Sequence, residues 1–494
     1  MKKFLSLGIL LALLALPMMA GAQGGLDARV LMWESTPEPL GTLQLRTLAG
    51  VEQAYGSGVV TRCGQDYWSS GGQSVAVYTT EDADEGRIDL YPLAGGEPVA
   101  LGPSHRMACA GPLSFQFSPN GQRVGYIDWK IDYGQEIQLL PFQWGYLHLM
   151  DPNTGDELAN FERTVGFMLY DDGALMMRVF PDAKENGEEA DLVWWDGSAR
   201  RTLVTLPVVV PEVGEKDPEP ECGITQAQPV RIGDTAYVLV GQRCDMKTSI
   251  NNSWRVYSVP MAGGAATEIV KQDMGNIGFF SGAFSTLAFP TLDGSGMLIG
   301  LPSGLSANTV HLYWVTPDGT VAPVAEGMHF YSDRFGNQLT EGRNFQLSFN
   351  GGAIAFVSTQ TANVSADEMA LWVMDMTTAG GQPVLVDQQS QGERIFQYLW
   401  AGNNTLYFIS GNLESSSISS STVAGGSTRI ERGRFYRMAI SYNGEKIVGA
   451  EYWENPERQG QDLYKLTLLD TNGSVVEFAK GTELQNEFLP LALQ

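Results

Sequence analysis

Short apolar runs, many alternating with polar positions, recur along the whole chain and are broken by Gly, Asn and Asp. Val75-Ala-Val-Tyr78, Val124-Gly-Tyr-Ile127, Val256-Tyr-Ser-Val259, Leu371-Trp-Val-Met374 and Leu406-Tyr-Phe-Ile409 are examples. Half-buried or fully buried strands read this way, whereas an amphipathic helix needs apolar residues at i, i+3, i+4 and i+7 over about a dozen positions. Beyond the N-terminal segment that helical spacing is scarcely found. The pattern predicts an all-β fold.

A glycine-anchored turn between two such runs appears eight times, at Gly72, Gly121, Gly173, Gly233, Gly294, Gly351, Gly402 and Gly444, spaced 42 to 61 residues apart. A second glycine turn falls after each anchor, at Gly95, Gly155, Gly197, Gly263, Gly319, Gly380, Gly425 and Gly473. Asn-Gly and Asp-Gly supply the positive-φ positions of tight hairpins, which makes the flanking strands antiparallel neighbours. Two hairpins per repeat make a four-stranded unit, and such units bury their faces by stacking on one another. The expected architecture is a single β-propeller of four-stranded antiparallel blades, eight in number, with seven as the alternative. Runs at 28–33, 42–47 and 487–493 could close the ring as a mixed sheet, but that would make nine sheets. Residues 23–60 are therefore expected as strands contributing to ring closure or packed on the rim, with the propeller spanning 61–494.

Phe117-Ser-Pro-Asn-Gly-Gln-Arg-Val-Gly-Tyr126 resembles the FSPDGKxIAF element of TolB-type, WD-repeat-like β-propellers. Leu347-Ser-Phe-Asn-Gly-Gly-Ala-Ile-Ala-Phe356 and Ile440-Ser-Tyr-Asn-Gly-Glu-Lys-Ile-Val448 are looser versions. The resemblance covers about 61–480 and implies the propeller fold. It implies little about activity, because such blades serve scaffolds, receptors and enzyme appendages alike. The chain departs from TolB itself in one respect: too few residues precede the first anchor for that family's separate N-terminal α/β domain.

Residues 1–22 read as a secretory signal, with Lys2 and Lys3, an apolar run from Phe4 to Met19, and a small-residue cleavage site at Ala20-Gly21-Ala22. A secreted or periplasmic protein is expected. The 31 Lys plus Arg against 56 Asp plus Glu give a net charge of −25. That balance argues against a nucleic-acid partner and against adsorption to anionic lipid. No later apolar stretch approaches the ~20 residues of a membrane span, so no insertion is expected after signal cleavage. The even count of four cysteines in an exported chain reads as two disulfides. Of the three pairings open to them, Cys63–Cys109 and Cys222–Cys244 join neighbouring loops. The CxxC or HxxxH spacing of a zinc site is missing.

Within each unit the turns joining strands one to two and three to four are short. The other connections are long and emerge at the opposite end, at 128–145, 181–190, 211–228, 242–253, 303–308, 327–343 and 453–459. Loops on a rigid scaffold are where binding usually resides, so the loop-rich face is the expected site. The insertion at 128–144 combines Trp129, Tyr133, Phe142 and Trp144 with Asp128, Asp132 and Glu136, and Trp453 is expected on the same face. Such rings suit a protein hot spot or a sugar-stacking platform, although covering a blade edge is their plainer use. The candidate binding residues are Asp128, Trp129, Asp132, Tyr133, Trp144 and Trp453.

Catalytic signatures are scarce: there is no Gly-x-Ser-x-Gly elbow, P-loop or dinucleotide fingerprint. His148 and His311 fall in third-strand runs and read as sheet residues, while His105 and His329 fall in loop-face segments without a nucleophile to pair with. The acidic stretches 182–191 and 212–221 lack calcium-loop spacing, and Ser415–Ser421 reads as a loop or weak strand. No metal or cofactor is expected. The chain reads as a non-catalytic binding module for a protein or cell-envelope component. A propeller hydrolase or lyase acting on glycans is the alternative, and a glycosidase would need two facing carboxylates. Non-reducing peptide mapping is expected to recover Cys63–Cys109 and Cys222–Cys244 as linked pairs; crossed pairs or free thiols would contradict that pairing.

Overall fold

The computed structural model describes residues 28–35, 41–60, 67–68, 71–80, 86–104, 115–128, 145–179, 189–207, 221–246, 249–275, 287–302, 309–329, 345–358, 370–390, 392–454, 462–471, 473–480 and 488–494. The signal segment, Cys63, Cys109, His105 and the insertion at 129–144 lie outside them. Every regular element among the described residues is a β-strand, and no helix among them is long and apolar enough to cross a membrane.

Each of the eight anchor turns joins the first two strands of a four-stranded antiparallel unit, giving the eight blades that the repeat leads one to expect. The first strands are Tyr67–Trp68, Phe115–Phe117, the second half of Glu157–Tyr170, Glu221–Ile232, Leu287–Pro290, Phe345–Leu347, Arg394–Trp400 and Phe435–Ile440. Units are numbered one to eight in that order. Strand Glu157–Tyr170 serves twice, pairing as the last strand of unit two and then as the first strand of unit three. It changes direction at Arg163, whose φ is 56°.

The chain ends build a further sheet in which Phe488–Leu493 pairs with Val30–Glu34, then Gly41–Thr47, then Gly50–Val60. This sheet, additional to the eight repeat units and so a ninth around the ring, stands between units eight and one. Val30 and Met32 pack against Val448, Leu466 and Leu468 of unit eight. Leu31, Leu43 and Leu45 pack on the other side against Val75, Val77 and Tyr91 of unit one. Strands that could have lain on the rim are thus inside the ring, because the run Val30-Leu31-Met32 makes both faces of the sheet apolar. Leaving either face in water would forfeit about 1.5–3 kcal/mol per large side chain. Arg29 and Gln494 exchange backbone hydrogen bonds of 3.1 and 2.9 Å, and Arg29 makes two 2.9 Å bonds to the Glu52 carboxylate.

Every neighbouring pair of sheets shares an apolar core of the same kind. Between units six and seven it holds Val357, Val373, Tyr398, Trp400 and Phe408; between units four and five, Leu239, Trp254, Val256, Ile299 and Val315.

The three turns that carry the TolB-like element have one geometry. The hydroxyls of Ser118, Ser348 and Ser441 donate to the side-chain oxygens of Asn120, Asn350 and Asn443 at 2.7–2.9 Å. Each hydroxyl also accepts the backbone N–H of the residue five positions on, at 2.9–3.0 Å. The following glycines, Gly121, Gly351 and Gly444, have φ between 68° and 75°. Gly173 differs: it is strand residue rather than positive-φ pivot, and a Cβ there would lie 2.1 Å from the Trp195 carbonyl oxygen.

Two polar stretches are more regular than expected. The segment 242–253, expected as a loop, continues the ladder of strands Thr235–Met246 and Ser249–Pro260. No Pro or Gly interrupts it after Gly241, so an antiparallel pairing set by the apolar part propagates outward. In that unit the backbone register places Cys222 opposite Cys244. Facing residues in such a ladder have Cα atoms about 4.5–5.5 Å apart, within the span a disulfide bridges. Ser415–Ser421 is the regular third strand of unit seven, with Ser416, Ser419 and Ser421 buried.

Asp89, on the third strand of unit one, is a buried carboxylate. It is only 2 % exposed and is met by Arg87 at 2.7 Å and the Tyr91 hydroxyl at 3.4 Å. Burial pushes its carboxyl above the usual range, and the Arg87 guanidinium pulls it part of the way back. The folded chain therefore holds this proton to higher pH than the unfolded chain does. The site's contribution is largest below the ordinary carboxylate pKa and declines as pH rises through the raised value. Asp89→Asn should raise the melting temperature at pH 7 and lose that advantage near pH 3; an equal effect at both pH values would refute the assignment.

Candidate binding site

The first strand of each blade is an edge strand facing the central axis, so its outward N–H and C=O groups need partners. Side chains from neighbouring blades supply several. Gln116 of unit two donates to the Phe167 carbonyl at 3.1 Å and accepts the Leu169 N–H at 3.1 Å, bridging to the first strand of unit three. Gln397 of unit seven accepts the Met438 N–H of unit eight at 2.7 Å. The Trp400 indole donates to the Gln346 carbonyl of unit six at 3.0 Å. The Tyr170 hydroxyl takes the Arg231 N–H of unit four at 2.5 Å, and burial pushes that phenol's pKa up. Gln228 is 1 % exposed and donates to Phe167 O at 3.4 Å.

These glutamines share a position. Gln116, Gln228, Gln346 and Gln397 each stand five residues before an anchor glycine. In the sequence each looks like one more polar alternate in a strand, and only the alignment of the repeats on their glycines shows the four as a column.

Where the first strands reach the anchor turns, they enclose a cavity of about 850 Å³ on the axis. Its wall includes the aromatic residues Phe115, Phe289, Phe345, Phe349, Trp400 and Tyr442, drawn from five blades. The lip is exposed: Leu292 is 53 %, Phe349 39 % and Leu347 37 % accessible. Tyr442 organises one side. Its ring centroid lies 5.1 Å from that of Phe349. A Cβ on Gly402 would come within 2.5 Å of its ring, and one on Gly72 within 2.3 Å of its Cβ.

The polar part of the rim is largely occupied. Arg231 pairs with Asp172 at 2.7 Å and lies over the Trp194 ring at 5.0 Å. Arg123 donates to the Asp171 carbonyl at 2.6 Å and lies over Trp195 at 5.6 Å. Asp293 is the carboxylate in the wall. Hydrogen bonds from Ser295, with a backbone distance of 2.8 Å, hold its pKa below the usual range.

This cup lies at the anchor-turn face, opposite the loop-rich face where the site was expected. Of the expected residues, Trp129, Asp132, Tyr133 and Trp144 lie outside the described residues. Asp128 ends its strand opposite Tyr146 and is 6 % exposed. Trp453 lies in strand Lys446–Glu454 opposite Leu463, so the backbone there is ladder rather than loop. His148 is a sheet residue of unit two, bonded to Glu157 at 2.7 Å and stacked on Tyr126. Among the described residues no group of three or more His, Cys, Asp or Glu is placed to hold a metal ion.

No family model matches this chain, and no curated protein does. Among solved structures it is similar to a eukaryotic initiation factor, at 11 % identity and a TM-score of 0.50 over 94 % of this chain and 98 % of that one. The chain is a β-propeller. It is also similar, at 10 % identity and a TM-score of 0.33, to the β-propeller domain of the Trilobed protease from Pyrococcus furiosus, covering 75 % of this chain and 99 % of that one. A prolyl endopeptidase shares 10 % identity at a TM-score of 0.42; the match covers 89 % of this chain but only 55 % of the peptidase. Identities this low speak to fold alone.

If the glutamine bridges hold the axis together, Gln397→Ala, which strands the buried Met438 N–H, should cost about 1–3 kcal/mol in a denaturant melt. A loss below about 0.5 kcal/mol would show that the bridge is dispensable.

Proposed function

We propose that this chain is an exported, TolB-type propeller acting as a non-catalytic binding module for a protein or cell-envelope component. The observation that carries the proposal is the aromatic cup: a preformed axial cavity with an exposed apolar lip. Its size falls in the range of about 300–1,000 Å³ typical of ligand sites. Its walls are preorganised, because each ring belongs to a strand or turn locked into the closed sheet array. Little conformational entropy is then lost when a partner docks. The common Ser-x-Asn-Gly turn supports the TolB-type reading, and the signal-like N-terminus supports export. The glycan hydrolase or lyase alternative gains nothing from this cavity, whose described lining offers the single carboxylate of Asp293.

The test is affinity capture from envelope and secreted extracts, run side by side with the wild type and Leu292→Ser/Phe349→Ser. Both lip residues are exposed, so the double variant should melt within about 1 kcal/mol of the wild type. A stoichiometric protein retained by the wild type and lost by the variant is the expected result. Equal capture by both would move the contact to the loop-rich face, and empty capture by both would overturn the protein-binding reading.

A further inference from the structure

We infer that the cup receives an apolar side chain presented on a basic peptide segment; the inference rests on the binding-module reading above and names the chemistry of its partner. Two sets of observations carry it. The first is the wall. Phe349 and Tyr442 offer ring faces beside Leu292 and Leu347, in a space that admits one or two large side chains. Such a wall favours Leu, Phe or Trp, whose burial against rings and leucines needs no hydrogen-bond partner.

Charge is the second. The anchor turns around the cup carry Asp171, Asp172, Asp234, Asp293 and Glu445, five carboxylates against the three cations Arg123, Arg231 and Lys446 beside them. The two arginines beside them are already committed, Arg231 to Asp172 and Arg123 to the Asp171 backbone, each with its guanidinium over a tryptophan. Asp293 stays ionised at the lip, its oxygen held by the Ser295 N–H at 2.8 Å. Over the whole chain the net charge is −25. A segment with Lys or Arg flanking its apolar residue therefore meets a complementary field at the rim. Its cations can also approach the aromatic faces of the lip. An acidic segment of the same apolar content meets repulsion instead.

The experiment titrates the full chain with three nine-residue peptides, following intrinsic tryptophan fluorescence and confirming by calorimetry. One has a Leu-Phe centre flanked by lysines, the second the same centre flanked by glutamates, and the third a Ser-Ser centre flanked by lysines. The first should saturate, and the other two should bind at least about tenfold more weakly, which corresponds to ~1.4 kcal/mol. Affinity for the first should fall as salt is raised from 50 to 300 mM, by a smaller factor in Asp293→Asn, and should vanish in Leu292→Ser/Phe349→Ser. Equal binding of the lysine- and glutamate-flanked peptides would overturn the charge requirement, and equal binding of the Ser-Ser peptide would overturn the apolar one. If no peptide binds while extract capture still depends on Leu292 and Phe349, the inference fails and the binding-module reading stands. If that capture fails too, both fall.

Discussion

Each sheet of this protein is apolar on both faces, and among the described residues those faces are covered by the neighbouring sheets. That mutual burial is the constraint from which the remaining features follow. Val30 faces one neighbour and Leu31 the other; Leu239 faces unit five while Val238 faces unit three. No sheet can be removed without leaving two faces in water, and a large side chain so exposed costs about 1.5–3 kcal/mol. The ring must therefore close. The chain ends meet that demand by pairing Phe488–Leu493 with Val30–Glu34 inside the array.

Closure creates a second problem at the axis, where first-strand edges converge with unpaired backbone groups. The glutamines and aromatic hydroxyl and indole groups that cross from blade to blade answer it, and in doing so they fix the strands whose ends form the cup. Scaffold and site are thus continuous. The rings that line the cavity are held in place by the bonds that seal the edges above them.

Much of this was legible in the chain. The Asn-Gly and Asp-Gly anchors encode positive φ directly, so the turns at Gly121, Gly351 and Gly444 could be placed from residue identity, and alternation located most strands. What stayed hidden has physical reasons. The strands of the terminal sheet were visible as the runs at 28–33, 42–47 and 487–493, but no turn links strands from opposite ends and the count of eight anchors argued against a ninth sheet. The polar ladder at 242–253 carries no apolar alternation, because its pairing is inherited from the strands below it. The cup is built from residues at similar offsets in seven blades, and its components look like ordinary strand and turn residues until the ring brings them together. Gly173 shows the limit of the turn argument, since there a glycine is required by the close approach of the Trp195 carbonyl and not by its φ.

Recognition is proposed at the axial cup on the anchor-turn face, preorganised by the closed ring. Hydrogen–deuterium exchange of the chain with and without its captured partner tests that placement most directly. Protection concentrated at 118–123, 291–296, 348–352 and 441–446 is the result the account predicts. Protection confined to the connections of the opposite face, with the anchor turns unchanged, would contradict it.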